Sequence, residues 1–114
     1  MAVVNVENAE HYTWGAGCDG WRLLNTSDLS VIQERIPAGL GEVKHYHDRA
    51  RQLFYVLQGQ LEIEADDETV QLERGDSFEI SAGVEHQVRN PFGKETLFLV
   101  ISAPSTQGDR VNLE

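Results

Sequence analysis

A chain of 114 residues has the length for one domain with one core and no room for a second module. Nine Lys and Arg against nineteen Asp and Glu give a formal charge of −10. That balance argues against nucleic acid or an anionic membrane as partner and leaves a small molecule as the expected ligand.

Cys18 stands alone, so no internal disulfide can form and a reducing compartment is expected. Residues 1–14 lack both the basic start and the long apolar run of a signal peptide or membrane span, so a cytoplasmic protein is expected.

Taken in chain order, short alternating or β-rich runs recur at residues 2–6 (AVVNV), 29–36, 42–47, 52–58, 60–65, 68–73, 77–81, 85–89 and 95–102. The segment DRARQLFYVL has some helical character, but its aromatic and β-branched second half and Gly59 favour a strand. Between the first two runs, WGAGCDGW places Trp14 and Trp21 around a glycine-rich loop, where they are expected to plug one end of the fold. The run EIEADDE from Glu62 to Glu68 reads as a solvated hairpin tip. About nine or ten strands must close or stack to hide their edges, which predicts an all-β barrel or double-sheet jelly roll. The tail 103–114 is loosely composed and either lies over the body or hangs free.

Four histidines are present, and two of them stand one residue apart, at His45 and His47. On a strand both face the same way with Cα atoms about 6.6 Å apart, a span over which two imidazoles can converge on one ion. Gln52, after the turn-prone DRAR, and His86, on a later run, are available to complete such a site. An ordinary strand carrying solvated histidines is the commoner reading of such a pair at this level. His11 reads as a partly exposed histidine near the start of the fold.

The spacing of two longer segments resembles the motifs of the cupin superfamily. Residues 39–59 read Gly39, His45-x-His47, Gln52 and Gly59, and residues 75–90 read Gly75, Ser81, Gly83, His86 and Asn90. Gln52 stands where glutamate is usual, and Ser81 where proline is usual. The resemblance implies a single cupin-type β-barrel, or double-stranded β-helix, over residues 1–114. It further implies one divalent metal ion (Zn, Ni, Mn or Fe) held by His45, His47, Gln52 and His86, and a homodimer formed by pairing of amino-terminal strands such as AVVNV.

A neutral carboxamide in place of a carboxylate leaves a divalent ion its full charge, so it tilts such a site towards polarising a carbonyl or hydroxyl. The leading expectation is an isomerase, lyase or cyclase acting on a small hydroxy-carbonyl or sugar-acid substrate. A non-haem metal dioxygenase and a non-catalytic sugar- or metabolite-binding module are the alternatives. Strand parity puts Val43, Phe54, Val56 and Val88 on the pocket side, where core packing explains them equally well. Arg35, Arg51 and Arg89 are the cations able to hold a carboxylate, and Arg35 is carried as a pocket candidate against a solvated-surface reading that all three share. No carboxylate base is evident on the pocket face of the motif strands.

Overall fold

Alternation governs the architecture. In the computed structural model, which describes residues 1–113, the side chains of most strands point in turn to the interior and to the outside. The strands are β1 (Glu10–Trp14), β2 (Cys18–Asn25), β3 (Ser30–Ile36), β4 (His45–His47), β5 (Arg51–Gln58), β6 (Leu61–Ala65), β7 (Glu68–Leu72), β8 (Ser77–Ile80), β9 (His86–Arg89), β10 (Thr96–Ala103) and β11 (Arg110–Asn112). No helix occurs among the described residues. Glu114, the last residue of the tail, lies outside them.

Two antiparallel sheets face each other. One has the order β1-β2-β3-β10-β5-β8 and the other β11-β4-β9-β6-β7. In the first sheet the inward rows line up in tiers across β3, β10 and β5. Ser30, Ser102 and Gln52 form the first tier, and Ile32, Val100 and Phe54 the second. Glu34, Phe98 and Val56 form the third, and Ile36 with Thr96 the fourth. Towards the fourth tier Ile36, Val56, Leu61, Ile63, Val88 and Phe98 make a close-packed apolar core, each at most 1 % exposed. The opposite end stays open and polar.

Two expectations about elements need correcting, and one that was left open is decided. Residues 2–6 are not a strand: the Asn5 carboxamide accepts the Glu7 amide proton at 2.9 Å and that of Asn8 accepts the Asn5 amide proton at 2.8 Å, so local turns win over the valines' β preference. The glycine-rich segment 15–21 is not a loop throughout, because Cys18 already opens β2 and the β1–β2 hairpin adds two strands to the sheet edge. The tail does not hang free. β11 pairs with β4, and the Asp109 carboxylate accepts amide protons from Asp48, Arg49 and Ala50 at 3.0–3.3 Å.

The β4–β5 segment also runs differently from a hairpin. It carries the chain from one sheet to the other, so His45 and His47 face Gln52 across the interior.

Candidate metal centre and its cavity

β4 places His45 and His47 on its inward face, and antiparallel pairing sets His86 of β9 directly opposite His45. The imidazole centroids are 4.3 Å apart for His45 and His86, 5.0 Å for His45 and His47, and 5.7 Å for His47 and His86. One nitrogen of each ring lies within 4.8 Å of the others. All three residues are at most 4 % exposed. Gln52 faces them from β5, itself 7 % exposed.

Hydrogen bonding fixes the tautomer of two of these rings and the free end of the carboxamide. A carbonyl oxygen only accepts, so His45 Nδ1–H donates to the Val43 carbonyl at 2.9 Å and His86 Nδ1–H to that of Val84 at 2.8 Å. Each ring therefore keeps its Nε2 lone pair free. Gln52 Nε2 donates to Ser102 Oγ at 3.2 Å, which leaves Oε1 as the free end of the carboxamide. His47 Nδ1, Gln52 Oε1 and His86 Nε2 are buried without a protein partner. Orphaned buried acceptors are costly, and an ion that takes their lone pairs removes the cost.

Burial also holds the rings neutral, with His45 pushed down to about 3, His47 to about 4, and His86 below its usual value for the same reason. A neutral imidazole is the ligating form. The donors thus fit one divalent transition-metal ion with a neutral ligand set.

The donors open onto a cavity of about 650 Å³. Phe54, Ile32 and Val100 supply apolar wall, while Tyr12, Glu34, Glu42 and Arg110 bring polar groups from β1, β3, the segment before β4, and β11. Of the pocket candidates, Val43 and Phe54 line this cavity. Val56 and Val88 do not: they lie further along their strands, inside the apolar core. Arg35 is likewise absent from the wall. Inward parity on β3 belongs to Ser30, Ile32, Glu34 and Ile36, so Arg35 points outward and pairs with Asp19 at 2.9 Å and Glu95 at 2.7 Å. Arg51 and Arg89 are also outside, paired with Glu79 and with Glu62 and Glu64.

The two tryptophans part company. Trp14 packs against the core and lines the cavity, whereas Trp21 lies against His11, with ring centroids 5.4 Å apart.

Sequence reasoning missed two carboxyl groups. Glu42 has a side chain 11 % exposed; the Val88 amide donates to it at 3.2 Å and the Arg110 guanidinium stands 3.6 Å away. Burial pushes it up to about 8, helped by the charge of Glu34. Glu34 accepts a hydrogen bond from the Tyr12 hydroxyl at 3.2 Å, and burial pushes it up to about 7. Alternation within SVIQERI gives Glu34 the same parity as Ile32 and Ile36, and that signal was available in the sequence. Glu42 had no such signal: read as part of the run 42–47 it shares parity with Lys44 and Tyr46, away from the histidines, whereas β4 begins only at His45 and the segment before it keeps no strand parity.

Comparison with known proteins adds the family. The cupin domain family matches residues 32–102, whereas no curated protein matches the sequence. Among solved structures the chain is similar to KdgF from Halomonas sp., at 22% identity over 92% of this chain and 94% of that one, with a TM-score of 0.83. It is also similar to an RmlC-like cupin from Shewanella frigidimarina, at 22% identity over 95% of both chains and a TM-score of 0.82. A third likeness is to a sugar phosphate isomerase of the cupin superfamily from Silicibacter pomeroyi, at 21% identity over 91% of this chain and 76% of that one, with a TM-score of 0.80. At these identities the likenesses speak for the fold. With the family match spanning more than half of the sequence, and two facing sheets enclosing the histidine cluster, the chain belongs to the cupin family.

Proposed function

We propose that this cupin is a divalent-metal enzyme of isomerase, lyase or cyclase type, acting from one domain on a small hydroxy-carbonyl or sugar-acid substrate. The observation that carries the reading is the set of three neutral, buried imidazoles and one carboxamide with free acceptor atoms, all facing a cavity of metabolite size.

His45, His47, Gln52 and His86 would hold the ion, with Zn, Ni, Mn and Fe all compatible with nitrogen and amide-oxygen donors. When bound, such an ion supplies Lewis acidity towards a carbonyl or hydroxyl oxygen. The protein's own groups do the rest. Val43 and Val84 carbonyls lock the His45 and His86 rings in the ligating tautomer. Ser102 orients the Gln52 carboxamide. Phe54, Ile32 and Val100 thin out the water beside the site and so strengthen its electrostatics. The neighbour named as a sugar phosphate isomerase points in the same direction.

Elemental analysis of the purified protein tests the reading. About one equivalent of a divalent transition metal is expected, and it should be lost in His47→Ala while the fold, followed by circular dichroism, is kept. Full metal content in that variant would remove the ligand assignment. Bound iron with substrate-dependent oxygen uptake would favour a dioxygenase instead.

The same proposal covers the protein's setting. Buried, unpaired Cys18 suits a reducing cytoplasm, and the charge of −10 suits a partner that is neither nucleic acid nor membrane. A homodimer is supported by the outer face of the six-stranded sheet, where Leu53 and Tyr55 of β5 lie beside Ile101 and Leu99 of β10. Leu53 and Tyr55 are 36 % and 38 % exposed. That apolar face, not a strand formed by AVVNV, is the surface we assign to the second copy.

A further inference from the structure

Glu34 and Tyr12 are joined by a device that spans three strands. Tyr12 of β1 pairs with Gly20 of β2, and Gly20 pairs with Glu34 of β3, so the three stand in one row. The backbone at Gly20 is not left-handed, so a turn does not require glycine there. Space does. A Cβ at this position would lie 2.3 Å from Tyr12 Cζ and 2.5 Å from its hydroxyl oxygen. The Tyr12 ring lies across the gap left by Gly20, and only so does its hydroxyl reach Glu34 at 3.2 Å.

From the other side the Arg22 guanidinium sits 4.5 Å from the centre of the same ring. Among the described residues, Tyr12 makes the only side-chain hydrogen bond to the Glu34 carboxyl, so Oε1 is left unengaged. The cluster lines the same cavity as His45, His47 and Gln52. Glu42 lacks this freedom, since the Val88 amide and Arg110 already face its two oxygens.

The register also sets the spacing between Glu34 and one of the metal donors, Gln52. Gln52 belongs to the first inward tier and Glu34 to the third, four residues further along the strands, or about 13 Å in the strand direction. A ligand that is only a chelating head beside Gln52 does not span this interval. One with a hydroxylated chain reaches both ends.

We propose that Glu34 and the Tyr12 hydroxyl form a second binding subsite at the far wall of the cavity, which takes a hydroxyl at the distal end of an elongated polyhydroxylated ligand whose near end sits at the histidine cluster. The inference rests on the metal-centre reading for the near end and adds the length and hydroxylation of the ligand. Tyr12 holds Oε2 of Glu34, and the ligand hydroxyl bonds to Oε1. Gly20 acts as a positioning residue for the ring. The row stands two tiers from Gln52, so it governs selectivity between short and long ligands.

The test uses cobalt-loaded protein, whose visible spectrum reports ligands arriving at the metal, and two probes with the same α-hydroxy-carboxylate head. Glycolate carries the head alone, and gluconate adds the hydroxylated chain. In the wild-type protein gluconate should bind about tenfold more tightly than glycolate, as one or two buried hydrogen bonds allow. Tyr12→Phe and Glu34→Gln should each remove most of that advantage while leaving glycolate affinity and cobalt content unchanged. Gly20→Ala should do the same by displacing the ring.

Equal affinity for the two probes in the wild type would overturn the subsite, as would an advantage that survives both Tyr12→Phe and Glu34→Gln. If neither probe changes the cobalt spectrum, the metal-centre reading fails and the subsite falls with it, a result distinct from loss of the length preference alone.

Discussion

Gln52 is the residue whose chemistry differs most from the carboxylate usual at its position in the family's motif. A carboxylate there would add direct charge attraction to the ion without changing the geometry of the other donors. Gln52→Glu is therefore expected to hold a divalent metal at least about tenfold more tightly in a competition with a chelator, and unchanged affinity would show that the carboxamide oxygen does not reach the ion. Glu34 makes a pH prediction that needs no metal. Its folded pKa of about 7 lies above the ordinary 4.5, so between these values the unfolded chain has released a proton that the folded one keeps. Stability falls as pH rises through this window, by about 3 kcal/mol at most, and changes no further above it. Urea midpoints of metal-free protein at pH 5 and pH 8 should fall less in Glu34→Gln than in the wild type, and identical falls would contradict the burial of this carboxyl. The ligand histidines were legible because their spacing is local. The partnership of Glu34 with Tyr12 was not, since it depends on a register across three strands and on a side chain that Gly20 lacks.

Among the elements, the short last strand carries more than its three residues suggest. Asp109 is 5 % exposed; burial alone would raise its carboxyl, but amide protons from Arg49, Ala50 and Asp48 outweigh this and hold it below the usual range. Removing the acceptor strands three amides in the β4–β5 connection. Asp109→Ala should cost about 2–4 kcal/mol by urea unfolding and should weaken metal binding, because His47 and Gln52 lie on either side of that connection. A loss confined to fraying of β11, with the metal site intact, would contradict this coupling. Strands with clear alternation, such as SVIQERI and TLFLVISA, were readable from period alone. β1 and β2 were hidden by the glycines between and within them, although they pair only with each other and with the next strand, and β11 was hidden by polar composition, because it is held by a strand distant in sequence and by the capping of one side chain, Asp109.

At the scale of the molecule, period-2 patterning gave the two-layer β class, but not the order of strands. β10 lies between β3 and β5, its contacts with β3 reaching across some sixty residues of chain, and nothing in a local window encodes that neighbour choice. The outer face of this sheet supplies the prediction about assembly. Light scattering at micromolar concentration should give about twice the chain mass of 12.8 kDa, and Leu99→Glu, which places charge in the middle of the apolar face, should return the monomer mass. A monomer in the wild type would leave that face without the assigned partner.

The pairing of β11 with β4 sets an order of events in the cell. During synthesis, His45, His47, Gln52 and His86 all emerge before Asp109 does, yet the amides of Asp48, Arg49 and Ala50 lack their acceptor until that carboxylate arrives. A nascent chain can therefore hold all its donor residues while still lacking the clasp on the connection between His47 and Gln52, so ion capture is expected to follow the emergence of Asp109.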